Sequence, residues 1–215
     1  MRWSLATAKP KPQLDRTEVL ASADKLRLKG KYKKAVVEYR RLIAQDASDA
    51  DAHSRVAQLL VKLRRRDDAL KSFRAAAEGF VARGFVDRAM AMYAQAAAAF
   101  PEEPFLWEQL ARLNHERGCR ADGIKALITG ASHLGKRNRA EAARLLVQAL
   151  AYEPLHIDAT VALCRVLKKD GRKPEAKKLL EELAKEIRGP ARARLRGAEF
   201  KLFPGFGSFF RWVRA

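Results

Sequence analysis

Six small residues stand in three pairs, each pair 34 positions apart: Ala35 with Ala69, Ala89 with Gly123, and Ala142 with Ala176. Small side chains returning at a fixed interval mark points where neighbouring helices approach closely, and this interval is that of a helix hairpin repeated along the chain. One hairpin cannot hide its own apolar stripe, so each must stack on the next. More of the frame travels with the small residue: Gly30, Ala35 and Tyr39 return as Gly84, Ala89 and Tyr93. The steps between pairs are shorter, 20 residues from Ala69 to Ala89 and 19 from Gly123 to Ala142, which makes a larger unit of 54 residues. Val19, Phe73 and Leu127 keep that larger spacing, as do Ala23, Ala77 and Ala131, and Leu26, Phe80 and Leu134. Segments 67–82 and 121–134 are therefore expected each to close one helix pair and open the next.

Apolar residues recur at three- and four-residue spacing from Thr17 to Ile187, and strand signals are almost absent. Glycine and proline punctuate this run at Gly30, Gly84, Pro101, Pro104, Gly118, Pro154, Gly171 and Pro174. Pro104 and Pro174 fall where a helix begins, a place at which a missing amide donor costs nothing. The spacing predicts helices over 17–29, 32–45, 50–63, 67–82, 86–99, 104–117, 121–134, 138–151, 157–169 and 173–187, an all-α chain.

These residues resemble the tetratricopeptide repeat family. Gly84, Ala89, Tyr93, Ala96 and Pro101 match the second half of that pattern in full, and Gly30, Tyr32, Ala35, Tyr39 and Leu42 match it with Ala47 where proline is usual. In the copy "KLRRRDDALKSF", Arg64 and Arg66 replace the glycine and the aromatic residue while Ala69 and Phe73 keep register. Gly171, Ala176 and Leu180 carry the last copy. The resemblance implies a right-handed α-solenoid of antiparallel hairpins, about ten helices, over residues 16–188, between a basic arm at 1–15 and a basic, aromatic tail at 189–215. In this family the first helix of each pair lines a concave groove that takes an extended peptide or a partner helix. Carried over by register, the groove positions are Ser54, Gln58, Val61 and Lys62, then Glu108, Arg112 and His115, then Val161, Arg165 and Lys168. A subset of the family grips a C-terminal carboxylate with paired Lys and Asn. Ser54, Gln58, Val161 and Arg165 stand at those places, so that clamp is not expected here.

Charge narrows the partner. The chain holds 44 Lys and Arg against 25 Asp and Glu, a formal +19, which favours acidic proteins, nucleic acid or an anionic membrane face. Residues 189–215 carry +5 of this and residues 1–15 carry +2, leaving +12 on residues 16–188. The tail "EFKLFPGFGSFFRWVRA" interleaves Phe200, Phe203, Phe206, Phe209, Phe210 and Trp212 with basic residues. Such a density of aromatic rings has to be covered. It can fold back as a cap on the last repeat, dock in a partner's groove, or lie at an anionic membrane interface. Helical repeats also read RNA, and the net charge suits a phosphate backbone, although no pair of base-reading residues recurs at the groove positions.

Catalytic or metal chemistry finds no constellation. His53, His115, His133 and His156 are scattered, and His115 with Cys119 is a lone pair where zinc needs three or four ligands. Asp67–Asp68 and Glu102–Glu103 are expected in first helical turns, where negative charge complements the helix dipole, and Glu181–Glu182 on a solvated face. Cys119 and Cys164 are too far apart in sequence for a redox or metal motif, which suits a reducing compartment. The apolar stretch of "MRWSLATAKPKPQ" is too short for a secretory signal, and no window approaches the roughly 18 apolar residues of a membrane span. The expectation is a soluble, cytoplasmic, non-enzymatic adaptor that needs no cofactor and binds acidic protein partners.

Overall fold

A computed structural model describes residues 15–135 and 137–213, with the side chains of Phe206 and Phe209 outside that description. The basic arm, up to residue 14, also lies outside the described residues. The described residues form twelve helices: α1 (Arg16–Leu28), α2 (Tyr32–Gln45), α3 (Ala50–Lys62), α4 (Arg66–Ala82), α5 (Val86–Ala99), α6 (Pro104–Glu116), α7 (Arg120–Leu134), α8 (Arg139–Tyr152), α9 (Ile157–Lys169), α10 (Lys173–Glu186), α11 (Gly189–Leu202) and α12 (Phe206–Val213). The first ten are those predicted, to within a residue at each end. The other two lie in what the sequence presents as a tail, and raise the expected ten helices to twelve. The chain divides into two compact units, with the boundary after Met92, inside α5.

In the first unit, α1 packs on α2, α2 on α3 and α3 on α4. The side chains of Asp15 and Asp49 accept backbone N–H bonds at the starts of α1 and α3, from Thr17 at 2.8 Å and Ala52 at 3.0 Å, satisfying donors that the first helical turn leaves orphaned. In α3 the buried residues are Ala50, Ala52, Val56, Ala57, Leu59 and Leu60, an amphipathic stripe at helical period. Tyr39, Phe73 and Phe80 are buried together with the small Ala35 and Ala69, all five side chains being at most 2% exposed. Burial of each large ring stabilises the unit by roughly 2 kcal/mol. The hairpin turns reuse one geometry. Gly30, Arg64 and Gly84 have φ of 70°, 56° and 77°. The residue after each donates back across the turn: Lys31 to Leu26, Arg65 to Leu60 and Phe85 to Phe80, at 2.8–2.9 Å. This is the six-residue closure of a helix that ends in a left-handed residue. Arg64 thus performs the part that glycine performs elsewhere, and keeps the 34- and 20-residue steps of the repeat.

The second unit runs from Tyr93. Consecutive helices from α6 to α12 pack on one another, and next-but-one contacts join α6 to α8, α7 to α9 and α9 to α11. Helix α7 packs on both α6 and α8, as expected of a helix that closes one pair and opens the next. Its approach is close because Gly123 and Gly130 lack side chains: a Cβ on Gly123 would stand 2.9 Å from the Ala111 carbonyl oxygen, and one on Gly130 would stand 2.6 Å from Cδ1 of Trp107. One apolar core runs from Ala111 through Leu145, Leu163 and Leu180 to Leu195 and Leu202 of α11. The first half of the tail is therefore a repeat helix that covers α9 and α10. Asp67 and Asp68 occupy the first turn of α4 as predicted. Glu102 and Glu103 do not reach a first turn, since Pro104 begins α6 and Glu103 is its N-cap.

Candidate partner-binding surfaces

The positions assigned to the groove stand in different local surroundings on their own helices. On α3, Ser54 is half-buried, Gln58 is exposed, and the exposed Lys62 ammonium lies 4.9 Å from the centre of the Tyr32 ring. On α6, all three candidates are engaged at home. Glu108 pairs with Arg144 of α8, Arg112 bonds to Gln109 and Glu116 of its own helix, and His115 stacks on Tyr152 of α8 with centroids 4.4 Å apart. On α9, Val161 packs against the core. Arg165 and Lys168 go to two different hollows.

The first hollow, about 250 Å³, opens between α7 and α9. Its floor is Ile128, Ala131, Leu146, Ala162 and Val166, and its polar lining is Ser132, Arg165 and Lys169. Small residues on α7 and α9 let the helices approach while leaving room for a guest side chain. Arg165 and Lys169 are four apart on α9, so they share one face and hold two positive charges over an apolar floor. Sequence register missed Ile128, Ser132, Ala162, Val166 and Lys169. The signal was available in the 54-residue unit: if α7 opens a pair, it is itself a first helix, and its exposed face must be read beside that of α9.

The second hollow, about 550 Å³, lies where α11 and α12 meet α9 and α10, and Lys168, Lys173, Lys177 and Arg211 line it. Lys168 donates to the Leu202 carbonyl at 2.5 Å. The tail residues stand as follows: Phe200 is half-buried and stacks on Trp212 with centroids 5.6 Å apart, Phe203 is half-buried, and Phe210 and Trp212 are exposed. The positions of Phe206 and Phe209 in the docking set lie outside the described side chains. A buried carboxylate fastens α12 in place. Glu199 accepts from Arg196 of α11 at 2.5 Å and from Arg211 of α12 at 2.7 Å.

Electrostatics elsewhere is structural. Burial pushes the Asp24 carboxyl up, but hydrogen bonds from Tyr39 and Arg27 and the charge of Arg55 outweigh it and leave the group below its ordinary value. Burial and the Asp24 bond together raise the Tyr39 hydroxyl. Asp49 is likewise pushed up by burial and brought down further by Arg16 and the Ala52 amide. No group of three or more His, Cys, Asp and Glu able to hold a metal ion occurs among the described residues, and no described helix is long and apolar enough to cross a membrane.

Comparison with known proteins agrees with the fold. Tetratricopeptide repeat family models match residues 23–63 and 133–198. No curated protein matches the chain. Among solved structures, similarity extends to a thermophilic TPR protein of Thermus thermophilus, at 19% identity over 86% of this chain and 100% of that one, with a TM-score of 0.28. YrrB, a TPR protein with an unusual peptide-binding site, shows 12% identity over 94% and 93%, with a TM-score of 0.31. The Rap conjugation gene regulator of plasmid pLS20, in complex with the Phr* peptide, shows 13% over 99% and 68%, with a TM-score of 0.39. Scores this low say nothing about what the chain binds. With a family match in each of its two units and consecutive helices packed within each, the chain carries tetratricopeptide repeats over those residues.

Proposed function

We propose that the chain is a non-enzymatic adaptor that holds an acidic segment of a protein partner across the α7–α9 face. Tetratricopeptide repeats are protein-interaction scaffolds, and the observation that carries the finer reading is the hollow itself. An apolar side chain of the partner seats on Ile128, Ala162 and Val166, and flanking carboxylates meet Arg165 and Lys169. The apolar anchor supplies most of the affinity and the charges speed encounter. Two free cysteines, Cys119 and Cys164, fit a reducing, cytoplasmic setting.

A photo-crosslinking amino acid at Ala162 of the full chain tests this. The expected product is a crosslink to an acidic stretch of a protein. R165E/K169E weakens capture of that partner about tenfold, exposed ion pairs being worth up to about 1 kcal/mol each. Capture that is indifferent to both reversals and to ionic strength overturns the reading, as does retention of generic RNA with no protein crosslinked.

A further inference from the structure

The second hollow has a different chemistry from the first. Four cationic side chains, Lys168, Lys173, Lys177 and Arg211, converge on it. The acid of the α11–α12 corner, Glu199, is buried and already shared between Arg196 and Arg211, so it neutralises one of those guanidiniums and leaves the lysines uncompensated. Two of the ammoniums flank one ring: Lys168 at 5.5 Å and Lys177 at 5.7 Å from the centre of Phe203. The Ser208 hydroxyl donates to the carbonyls of Phe203 and Gly205 at 2.7 and 2.9 Å, which stitches the corner and fixes α12 beside the hollow.

Helix α12 is amphipathic. Gly207, Ser208 and Arg211 line the hollow, while Phe210, Trp212 and Val213 are 53%, 45% and 63% exposed. A cationic cup edged by a short helix with partly exposed apolar side chains matches the layered chemistry of a lipid surface, with phosphates outermost and acyl chains beneath. Single-stranded nucleic acid would want rings at intervals along a basic track. Here the exposed aromatics of the corner are confined to one two-turn helix. We propose that the α11–α12 corner docks this chain on an anionic membrane, with Lys168, Lys173, Lys177 and Arg211 around lipid phosphate and with Phe210, Trp212 and Val213 at the headgroup boundary. The docking surface is separate from the α7–α9 hollow and does not depend on it.

Co-sedimentation of the full chain with vesicles tests the proposal, using phosphatidylcholine alone or mixed with phosphatidylglycerol, at physiological salt. The chain should sediment with the anionic vesicles and stay free of the neutral ones. K173Q/K177Q should bind about 25-fold more weakly, each lysine near such a surface being worth about fivefold. F210S/V213S should lose at least about tenfold. All four residues are exposed, and unchanged helical circular dichroism verifies the fold of both variants. The pair K33Q/K34Q, on the exposed face of α2, removes the same charge elsewhere and should change little. An equal fall in that control, equal binding to neutral vesicles, or variants that bind as the parent does overturns the proposal. So does binding of polyuridylate or polyglutamate that K173Q/K177Q abolishes, with no sedimentation on the anionic vesicles.

Discussion

Arg64 offers a clean measurement of what the repeat's turn demands. Its φ of 56° lies in the left-handed region, where a Cβ crowds the neighbouring carbonyl at a cost of about 1–2 kcal/mol. Glycine avoids that cost but surrenders about 0.4–1 kcal/mol to the greater freedom of the unfolded chain. Arg64→Gly should therefore stabilise the first unit by about 0.5–1 kcal/mol, because the side chain it removes is exposed and the turn's hydrogen bond, Arg65 N–H to Leu60 C=O at 2.9 Å, stays in place. The reciprocal change isolates the same quantity with the opposite sign. A Cβ on Gly84 would meet nothing within 4 Å, so Gly84→Ala carries the backbone penalty with no steric clash added, and should cost about 0.5–1 kcal/mol. Urea unfolding followed by circular dichroism reads both, with the midpoint moving up for the first variant and down for the second at unchanged slope. A midpoint for R64G at or below that of the parent, with G84A lowered as expected, would refute the reasoning, since it would mean that the arginine side chain and not the backbone governs that turn.

Thiol chemistry separates the two cysteines: burial pushes Cys164 up to about 12, and its Sγ sits 3.2 Å from the Ala176 carbonyl oxygen, whereas Cys119 is exposed. Maleimide should label one thiol in the native protein and two after denaturation, and two native labels would contradict the buried site. Asp24 and Asp49 both titrate below their ordinary 3.8 in the folded chain, so their stabilisation is complete above that value and disappears as pH falls through the lower, folded values. The urea midpoint of the first unit should be level from about pH 7 to 5 and drop below about pH 4, and an Asp24→Asn variant that drops just as steeply would exclude Asp24 as a source. Glu199→Gln leaves Arg196 buried without its counter-charge, on the order of 3 kcal/mol of local stability. Limited proteolysis should then cut near Pro204 while the preceding helices stay intact, and protection equal to the parent's would show that apolar packing alone holds α12.

The repeat helices were legible because three independent signals coincide in them. Small residues fall at 34-residue steps, apolar residues at helical spacing, and glycine at the turns, and each has a separate physical cause in close approach, burial and backbone conformation. Arg64 shows the register surviving the loss of one signal, since Ala69 and Phe73 alone place the α3–α4 turn correctly. Helix α11 shows the opposite case. Its inward face carries Arg196 and Glu199 between Leu195 and Leu202, and all four are buried. The ion pair supplies its own partner inside the protein, so a polar pair sits where a hydropathy pattern requires apolar residues, and the segment reads as a charged tail.

The candidate binding surfaces were less legible because the assignment of a basic side chain depends on which helix covers it. Arg165 and Lys168 are three apart on α9 and look alike in the sequence, yet α7 receives one and the α11–α12 corner the other. Net charge alone also misleads about how much of it can meet a partner. Ion pairs in the described residues fall chiefly to arginine: Arg16 with Asp49, Arg55 with Asp24, Arg88 with Asp51, Arg144 with Glu108, Arg194 with Asp158. A planar guanidinium matches a carboxylate and ties helices together. Lysine, a compact and strongly hydrated charge, lines the rims of both hollows at Lys168, Lys169, Lys173 and Lys177. The paired arginines therefore serve mostly the fold, and the lysines are the charges left to the two proposed binding surfaces. Neutralising lysines should weaken binding with little change in stability, and neutralising the paired arginines should do the reverse.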